Sequence, residues 1–267
     1  MLNHNSTEFL TPEQIRKLAP TVFSSQSAPN VSKHYTHIPT SVIMEDMQKL
    51  GWGVVDAKQV KARSASKGFQ KHLLVFRNED IRIEGEDGDI VYPQILLTNS
   101  HDGKNAFTFI AGLFRMICEN GLVISTEQFE NLKMRHMGYT FEDLQTNIHS
   151  MVERLPLTVE SMNLMKNKIL SEQQKHEFAQ KSLESRFPKE ELARIKVDLE
   201  DLLTPTREED KGDNLWNVFN VIQEKLLGGD FRYEYGSKQR KARKIKNFQQ
   251  DQKININLFN TALQYAA

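Results

Sequence analysis

One short stretch, from Lys71 to Arg77, constrains the fold more than any other part of the sequence. It runs Lys-His-Leu-Leu-Val-Phe-Arg, and its centre is apolar at consecutive positions. Side chains alternate between the two faces of a strand, so a strand with this sequence is apolar on both faces. Such a strand is typical of the interior of a sheet whose two faces are covered. The chain therefore needs partner strands for this segment.

Two neighbouring segments are predicted to be those partner strands. Val54 to Arg63 is followed by a turn with serine and glycine at 64–68, which favours a hairpin with the Lys71–Arg77 strand. Ile90 to Thr98 is predicted to be the next strand, and Pro93 within it indicates an edge position or a β-bulge. These segments together predict a mainly antiparallel sheet.

Helices are predicted on both sides of these strands. Pro39 to Leu50 has a stripe of apolar residues at helical spacing, and Thr40 or Ser41 can cap it. Ala106 to Asn120 has the clearest amphipathic pattern in the chain, and Gly121 is placed to end a helix there. The order of the elements predicts an α+β protein with a curved, mainly antiparallel β-β-β-α core and an additional helical region.

The composition divides the chain into four regions. The core occupies residues 39–124. Residues 1–38 have a loop composition and are predicted to be an N-terminal arm, in which Thr11 caps a short helix. Residues 125–210 are charged and predicted to be helical. Residues 211–267 combine apolar helices with a basic stretch and are expected to pack on the core.

The composition also excludes several classes of protein. No run approaches ~18 consecutive apolar residues, so no transmembrane helix and no membrane partner are expected. Residues 1–8 lack the basic start and apolar segment of a secretory signal. A single cysteine, Cys118, excludes an internal disulfide, and its place on the apolar face of the predicted helix indicates a small core residue rather than a nucleophile. The cytoplasm of a bacterial host is the expected compartment.

Local catalytic motifs are absent from the sequence. It contains no glycine-rich phosphate loop, Cys-x-x-Cys, His-Glu-x-x-His or Gly-x-Ser-x-Gly. His101 and Asp102 are adjacent, which rarely lets two side chains face each other, and Asp-Gly is a turn signal. His34 and His37 supply only two metal ligands. We therefore predict a protein that is not an enzyme, with no catalytic residue, no metal and no cofactor.

The charges are segregated along the chain, although 35 basic and 35 acidic residues give a formal net charge of zero. Residues 238–246 contain six basic residues and no acidic one. Basic residues neutralise phosphates and interleaved aromatic rings can stack on unpaired bases, whereas a charge run is often only a solvated surface. The flanking aromatic residues are Phe231, Tyr233, Tyr235 and Phe248. On this run alone, both interpretations stay open.

Parts of the sequence resemble the phage/plasmid-like protein family, a domain of unknown function in phages, prophages and conjugative plasmids. The resemblance is most specific at Leu-Thr-Asn-Ser-His-Asp-Gly-Lys-Asn-Ala (97–106) and Ala-Gly-Leu-Phe-Arg-Met-Ile-Cys-Glu-Asn-Gly-Leu (111–122). Leu-Trp-Asn-Val-Phe-Asn (215–220) and Asn-Leu-Phe (257–259) resemble the C-terminal part of the same family.

The predicted order of elements is also similar to the core of the single-strand annealing recombinases, which include the RecT, ERF and Red beta proteins. This second resemblance, by analogy, implies a basic groove that binds single-stranded DNA without nucleotide hydrolysis, in a ring or filament of many copies. The candidate DNA-binding residues are Lys61, Arg63, Lys67, Lys71, Arg77, Lys104 and Arg115, joined from the basic run by Lys238, Arg240, Lys241, Arg243 and Lys244.

The function expected on these grounds is ATP-independent binding and annealing of single-stranded DNA for a phage or plasmid. The expected partners are single-stranded DNA, further copies of this chain, and a host or phage single-strand binding protein. One alternative is an interaction protein that inhibits a host defence or repair factor, with the segregated charges as its binding face. Another is a metal-dependent nuclease that uses His101 and Asp102.

Overall fold

The computed structural model describes residues 8–33, 35–61, 67–84, 90–104, 107–115, 120–123, 132–134 and 140–267. The chain divides into two compact units, residues 2–155 and residues 156–267. We call them the sheet unit and the helical unit. The fold is α+β with a mainly antiparallel sheet, which confirms the predicted fold class.

The sheet unit is built around one large sheet. Its elements are α1 (Pro12–Leu18), α2 (Thr40–Lys49), β1 (Gly53–Gln59), β2 (His72–Arg77), β3 (Ile83–Glu84), β4 (Ile90–Asn99), β5 (Phe107–Arg115), β6 (Asn120–Val123), β7 (Leu132–Met134) and α3 (Phe141–Glu153). The strand order is β1-β2-β4-β5-β6, with β3 added beside β4 and β7 beside β5. Every pair of neighbouring strands in it is antiparallel.

Strand β2 lies inside the sheet, as its sequence predicts. It is bonded to β1 on one side and to β4 on the other. All of its residues are buried, and the four apolar side chains from Leu73 to Phe76 are fully inaccessible to solvent. The consecutive apolar residues are therefore explained by cover on both faces of the sheet.

Strand β4 is also interior, so the edge position expected from Pro93 is wrong. The register of β2 against β4 ends at Arg77 opposite Gln94, and that of β3 begins at Ile83 opposite Val91. Pro93 lies between these two pairs, opposite neither β2 nor β3. A proline, which has no N–H to donate, is tolerated where the ladder has no partner.

The predicted helix at 106–120 is wrong, because this part of the chain forms β5 and β6. Strand β5 pairs with β4 along eight successive residues, from Val91 opposite Arg115 to Thr98 opposite Thr108. The segment is rich in phenylalanine, threonine and isoleucine, which favour strands. A strand covered on both faces has apolar residues at consecutive positions, and such a run also satisfies helical spacing. The β-β-β-α order shared with the annealing recombinases therefore does not hold at its last element.

The N-terminal arm contains the short helix that was predicted there. In α1, the Thr11 hydroxyl accepts a hydrogen bond from the Gln14 backbone N–H, and the Gln14 side chain accepts one from Thr11 N–H. Ile15 and Val22 are fully buried, and Leu10 N–H donates to the Val54 carbonyl of β1 at 2.7 Å. The arm is thus packed on the sheet rather than irregular. Two residues weighed above, His34 and Cys118, lie outside the described residues.

The helical unit contains a second, smaller sheet. Its helices are α4 (Leu155–Asn167), α5 (Glu172–Ser182), α6 (Lys189–Leu192), α7 (Leu199–Leu203), α8 (Leu215–Gly228) and α9 (Phe248–Ala266), and its strands are β8 (Ile195–Val197), β9 (Arg232–Tyr235) and β10 (Lys238–Lys241). The strand order is β10-β9-β8, so β10 is an edge strand. Helices α8 and α9 pack through Phe219 and Phe259, whose ring centroids are 6.1 Å apart.

The end of α8 fixes the backbone that follows the small sheet. Gly229 ends the helix with φ at 75°, a conformation that favours glycine. A Cβ at this position would lie 2.3 Å from the carbonyl carbon of Arg243. The Arg186 guanidinium donates to the carbonyls of Leu226 and Arg243, the latter at 2.6 Å. The segment after β10 is therefore held against α8 at the level of Arg243.

A search for spans within the described ranges finds no helix whose length and hydropathy would allow it to cross a membrane.

Candidate nucleic-acid interface

Three loops meet at one end of the large sheet. His72, the first residue of β2, lies opposite Gln59 at the end of β1 and opposite Asn99 at the end of β4. The loops after β1 and after β4 therefore leave the sheet at the same end, which we call the loop end. A third segment reaches it from the N-terminal arm, because Ala28 N–H donates to the His101 carbonyl at 2.8 Å.

The loop end carries a group of lysines with one carboxylate. Asp102 is the single acidic residue in the segments 19–40, 57–78 and 99–104. The lysines of these loops are exposed except for one that is half-buried, Lys71. Together we call them the lysine cluster, which comprises Lys33, Lys61, Lys67, Lys71 and Lys104.

The loops that carry the lysine cluster are fixed by hydrogen bonds to one another. The Ser24 hydroxyl donates to the Gly68 carbonyl at 2.6 Å, and His101 N–H donates to the Phe69 carbonyl at 3.1 Å. Below them, the Thr21 hydroxyl donates to the Gln59 side-chain oxygen at 2.6 Å. The described parts of the three loops are therefore held to one another by the fold.

His72 is the buried anchor beneath these loops. Its Nδ1 is 3.1 Å from both the Gln70 carbonyl and the Thr21 hydroxyl, and its Nε2 is 2.8 Å from the Thr40 hydroxyl. Burial lowers the pKa of the imidazole from 6.5 to about 4, although the hydrogen bond to the Gln70 carbonyl acts in the opposite direction. His72 is therefore neutral at physiological pH, and Nδ1 donates while Nε2 accepts. The Thr40 hydroxyl, expected to cap α2, serves this network instead.

Lys71 sits at the boundary between this buried network and solvent. Burial lowers the pKa of its ammonium group, and the nearby Asp102 carboxylate acts in the opposite direction. Burial and the same carboxylate raise the pKa of Tyr35 to about 12. A partly desolvated ammonium gains more from a bound anion than a fully hydrated one does, because the local dielectric is lower.

His101 and Asp102 have structural positions. The Asp102 carboxylate accepts hydrogen bonds from the Ser100 hydroxyl at 2.8 Å and from Lys104 N–H at 3.1 Å, which closes the turn. The His101 side chain is fully buried, with its ring centroid 4.7 Å from that of His37. Over the ranges that the structure describes, no group of three or more histidine, cysteine or carboxylate side chains is arranged to hold a metal ion.

Two of the predicted groove residues lie away from the lysine cluster, and a third is not described. Arg77 lies at the opposite end of β2, roughly 17 Å from its start at ~3.3 Å per residue. Its side chain is 3% exposed, its Nε donates to Glu79 at 2.8 Å, and its guanidinium lies 5.1 Å from the Tyr92 ring centroid. Arg115 also belongs to that far end, because its backbone pairs with Val91 and Asn120, and its side chain is not described. Arg63 lies outside the described residues.

Lys71 and Arg77 were predicted to lie on one strand, but the observed bounds of β2 separate them: Lys71 precedes the strand and Arg77 is its last residue. Lys61 and Lys71 were predicted to lie on paired strands, but β1 ends at Gln59 and β2 begins at His72. Both lysines therefore belong to the connecting loop. Lys33 was not predicted at all, since its place depends on the hydrogen bond between Ala28 and His101, which no local pattern announces.

The C-terminal basic run forms a second basic surface, on the helical unit. Its first part is strand β10, which with β9 and the turn between them makes what we call the basic hairpin. All of its basic side chains are exposed, as are those of the segment that follows. They are Lys238, Arg240, Lys241, Arg243, Lys244 and Lys246. The Lys241 ammonium is 2.7 Å from the Asp230 carboxylate, so part of its charge is balanced.

Two of the four aromatic residues that flank the basic run are buried. Phe231 is 1% exposed and Phe248 is 6% exposed, so neither ring can reach a ligand. Tyr233 and Tyr235 are half-buried. The Arg240 guanidinium lies over the Tyr235 ring, 4.8 Å from its centroid.

Comparison with known proteins places this architecture in a family. The model of a family described as a domain of unknown function, DUF932, matches residues 29–258. The chain belongs to the DUF932 family. The match includes every member of the lysine cluster and the basic hairpin. The predicted membership of a family of unknown function is thereby confirmed.

Two DUF932-like relatives come from Escherichia coli strain K12. The chain is 29% identical to the UPF0380 proteins YafZ and YfjQ over 221 residues. In each case the match covers 82% of this chain and 78% of the relative. No solved structure matches the chain.

Proposed function

We propose that the protein binds single-stranded DNA without nucleotide hydrolysis and promotes the annealing of complementary strands. The observation that carries the proposal is the lysine cluster, in which three loops bring five lysines and one carboxylate to the same end of the sheet. Lysine ammonium groups neutralise phosphates, and binding is then strengthened by the release of counterions. A net charge of zero for the chain does not oppose this, because the local field decides where a polyanion binds.

The form of the surface suits a flexible strand. The lysines are carried by loops rather than by a helix or ribbon shaped to enter a groove of duplex DNA. Contacts made to phosphates position a nucleic acid without reading its bases. The bases of a bound strand therefore stay available for pairing, which is what annealing requires.

The biological setting follows from the same proposal. An annealing protein of a phage or plasmid acts in the cytoplasm of the bacterial host, as a ring or filament of many copies that extends the binding surface along the strand. Its partners there are single-stranded DNA and a host or phage single-strand binding protein. The phage or plasmid setting is inferred from the family resemblance in the sequence.

Fluorescence anisotropy of a labelled strand of ~30 nucleotides tests the proposal, with duplex of the same sequence as competitor. We expect tight, salt-sensitive binding that prefers the single strand. Absence of binding at low salt would refute it and favour the alternative of a protein-binding inhibitor.

A pair of double variants locates the site. Lys61→Glu with Lys104→Glu is expected to weaken binding and to lower the salt dependence by about 1.4 in the slope of log K against log salt, at ~0.7 per phosphate. The matched control is Lys189→Glu with Lys253→Glu, two exposed lysines of the helical unit that give the same change in net charge. Equal weakening by both pairs would show that only net charge matters and would remove the lysine cluster from the site.

A further inference from the structure

The basic hairpin presents an arginine and a tyrosine side by side. In the register of the hairpin, Arg240 lies opposite Tyr233 and Lys238 lies opposite Tyr235. Arg240 and Tyr235 are thus diagonal neighbours on the same face, and the guanidinium carbon lies 4.8 Å from the ring centroid. Arg240 is exposed and Tyr235 is half-buried, so the arginine forms the outer layer of the pair.

The two faces of the hairpin differ in charge. Lys238 and Arg240 share their face with the two tyrosines, whereas the opposite face carries two cations and an acidic residue: Arg232, Lys241 and Glu234, together with Gln239. That opposite face borders a cavity of about 410 Å³ whose lining mixes Lys196 and Arg232 with Glu234 and Asp198. Only the face with the tyrosines combines aromatic rings with positive charge and no acidic residue.

Arg240 differs from its neighbour Lys241 in how its charge is used. Lys241 is paired with Asp230 at 2.7 Å. The Arg240 side chain is exposed, and within the described part of the chain its guanidinium lies over the Tyr235 ring. The guanidinium is therefore held by a ring on one face, while its other face and its N–H edge stay available to a ligand.

A guanidinium held in this way suits an unpaired base. It is planar, it stacks on aromatic rings, and its N–H groups bind phosphate oxygens. Exposed cations on the same hairpin and on the segment after it supply contacts for neighbouring phosphates: Lys238, Arg243, Lys244 and Lys246. The backbone of that segment is fixed, since Arg186 donates to the Arg243 carbonyl at 2.6 Å.

We infer that the Tyr235–Arg240 pair is a stacking platform for an unpaired nucleobase, which makes the basic hairpin selective for single strands over duplexes. The inference rests on the proposed function and names the feature of the DNA that this surface recognises. A base inside a duplex is stacked on its neighbours and does not offer a free face to the platform. The lysine cluster, by contrast, needs only phosphates.

The test compares ligands that have the same phosphates with and without bases. Oligothymidylate of ~30 nucleotides and an abasic strand of equal length are titrated by anisotropy against the full chain and two variants. Arg240→Lys keeps the charge and removes the planar group. Arg194→Lys is the matched control, because it makes the same exchange at an exposed arginine of the helical unit that lies outside the basic hairpin.

For Arg240→Lys we expect oligothymidylate affinity to fall by about 5- to 150-fold, the effect of one stacked base. Its affinity for the abasic strand should stay at the wild-type value, and Arg194→Lys should not change the affinity for either ligand appreciably. A second variant, Tyr235→Leu, should reproduce the loss for oligothymidylate alone, while Tyr235→Phe, which keeps the ring, should not.

The possible failures are distinguishable. If the wild-type chain binds oligothymidylate and the abasic strand equally, or Arg240→Lys weakens both to the same extent, the platform is refuted and phosphate binding stands. If the wild-type chain binds neither strand at low salt, the proposed function fails, and this inference fails with it.

Discussion

Protonation of His72 should destabilise the sheet unit in mild acid. The imidazole is fully buried, and burial lowers its pKa from 6.5 to about 4. Because the folded-state pKa is below that of the unfolded chain, the unfolded state binds the proton more tightly. The contribution of neutral His72 to the free energy of unfolding is therefore fully present above pH 6.5 and is lost as the pH falls from 6.5 towards about 4.

The size of the effect follows from the two pKa values. The difference corresponds to a loss of about 3 kcal/mol once the pH is below both, at about 1.4 kcal/mol per tenfold change in the protonation equilibrium. Small domains unfold with only about 5–15 kcal/mol, so a loss of this size is a large share of the total. His72 makes hydrogen bonds to residues beneath the loop end. We therefore expect the DNA affinity of the lysine cluster to fall together with the unfolding free energy.

The assay needs a signal from the sheet unit alone. The chain has two tryptophans, of which Trp52 belongs to the sheet unit and Trp216 to the helical unit. Both are 2% exposed, so each reports unfolding by a change in fluorescence. In a Trp216→Phe background, denaturant titrations across this pH range measure the free energy of unfolding of the sheet unit. The same titrations are made with His72→Gln.

The wild-type advantage over His72→Gln should shrink by about 3 kcal/mol as the pH falls through this range. Other titrating groups are common to both proteins and cancel in the comparison. If the difference in unfolding free energy between the two proteins is the same at neutral and acidic pH, the buried neutral imidazole is not what the fold requires, and the reasoning is refuted.

Three further predictions concern salt, the end of α8 and Arg77. If each member of the lysine cluster neutralises one phosphate, log K should fall by about 3.5 per tenfold rise in salt, or about 100-fold between ~50 and ~200 mM, and a slope near zero would contradict phosphate binding. Gly229→Ala should lower the unfolding free energy of the helical unit, followed by Trp216 fluorescence, by at least about 1–3 kcal/mol for the left-handed conformation alone. Gly236 is also at positive φ, but a Cβ added there has no described atom within 4 Å. Gly236→Ala should therefore lower the unfolding free energy less than Gly229→Ala does, and equal losses for the two variants would argue against the contact with Arg243. Arg77→Met should lower the unfolding free energy of the sheet unit by about 1–3 kcal/mol, because it removes a buried hydrogen-bonded group. A loss of DNA affinity in the folded variant would show instead that Arg77 belongs to the DNA-binding site.

Local sequence signals predicted much of the fold. The strand β2, the strand β4 and the Thr11 cap of α1 each depend on a few adjacent residues, and each is confirmed. The prediction of a helix over residues 106–120 was wrong for a reason that lies outside that segment. Here the backbone hydrogen bonds that β4 makes along the edge of the segment decide that these apolar residues form a strand and not a helix.

The candidate site was predicted in part, because membership of a predicted strand does not say at which end of the strand a residue lies. Lys61, Lys67, Lys71 and Lys104 are on loops that leave the sheet at the same end, since loops that join antiparallel strands can meet at one end of a sheet. Arg77 was grouped with Lys71 on one predicted strand, yet it lies a whole strand length away. Burial of Phe231 and Phe248 depends on contacts made across the helical unit, so the aromatic spacing could not reveal it. That these surfaces bind DNA remains a prediction.

The edge strand β10 has a second physical consequence. Its outer row of backbone N–H and C=O groups is an open template on which a strand of another copy can add. Lysine and arginine side chains along such an edge act as gatekeepers, because two like-charged edges repel each other before their backbones can pair. Variants that delete these charges would expose the template and give concentration-dependent aggregation that mimics a loss of function. Substitutions that exchange one cation for another keep the gatekeepers in place, and measurements made with them report on recognition alone.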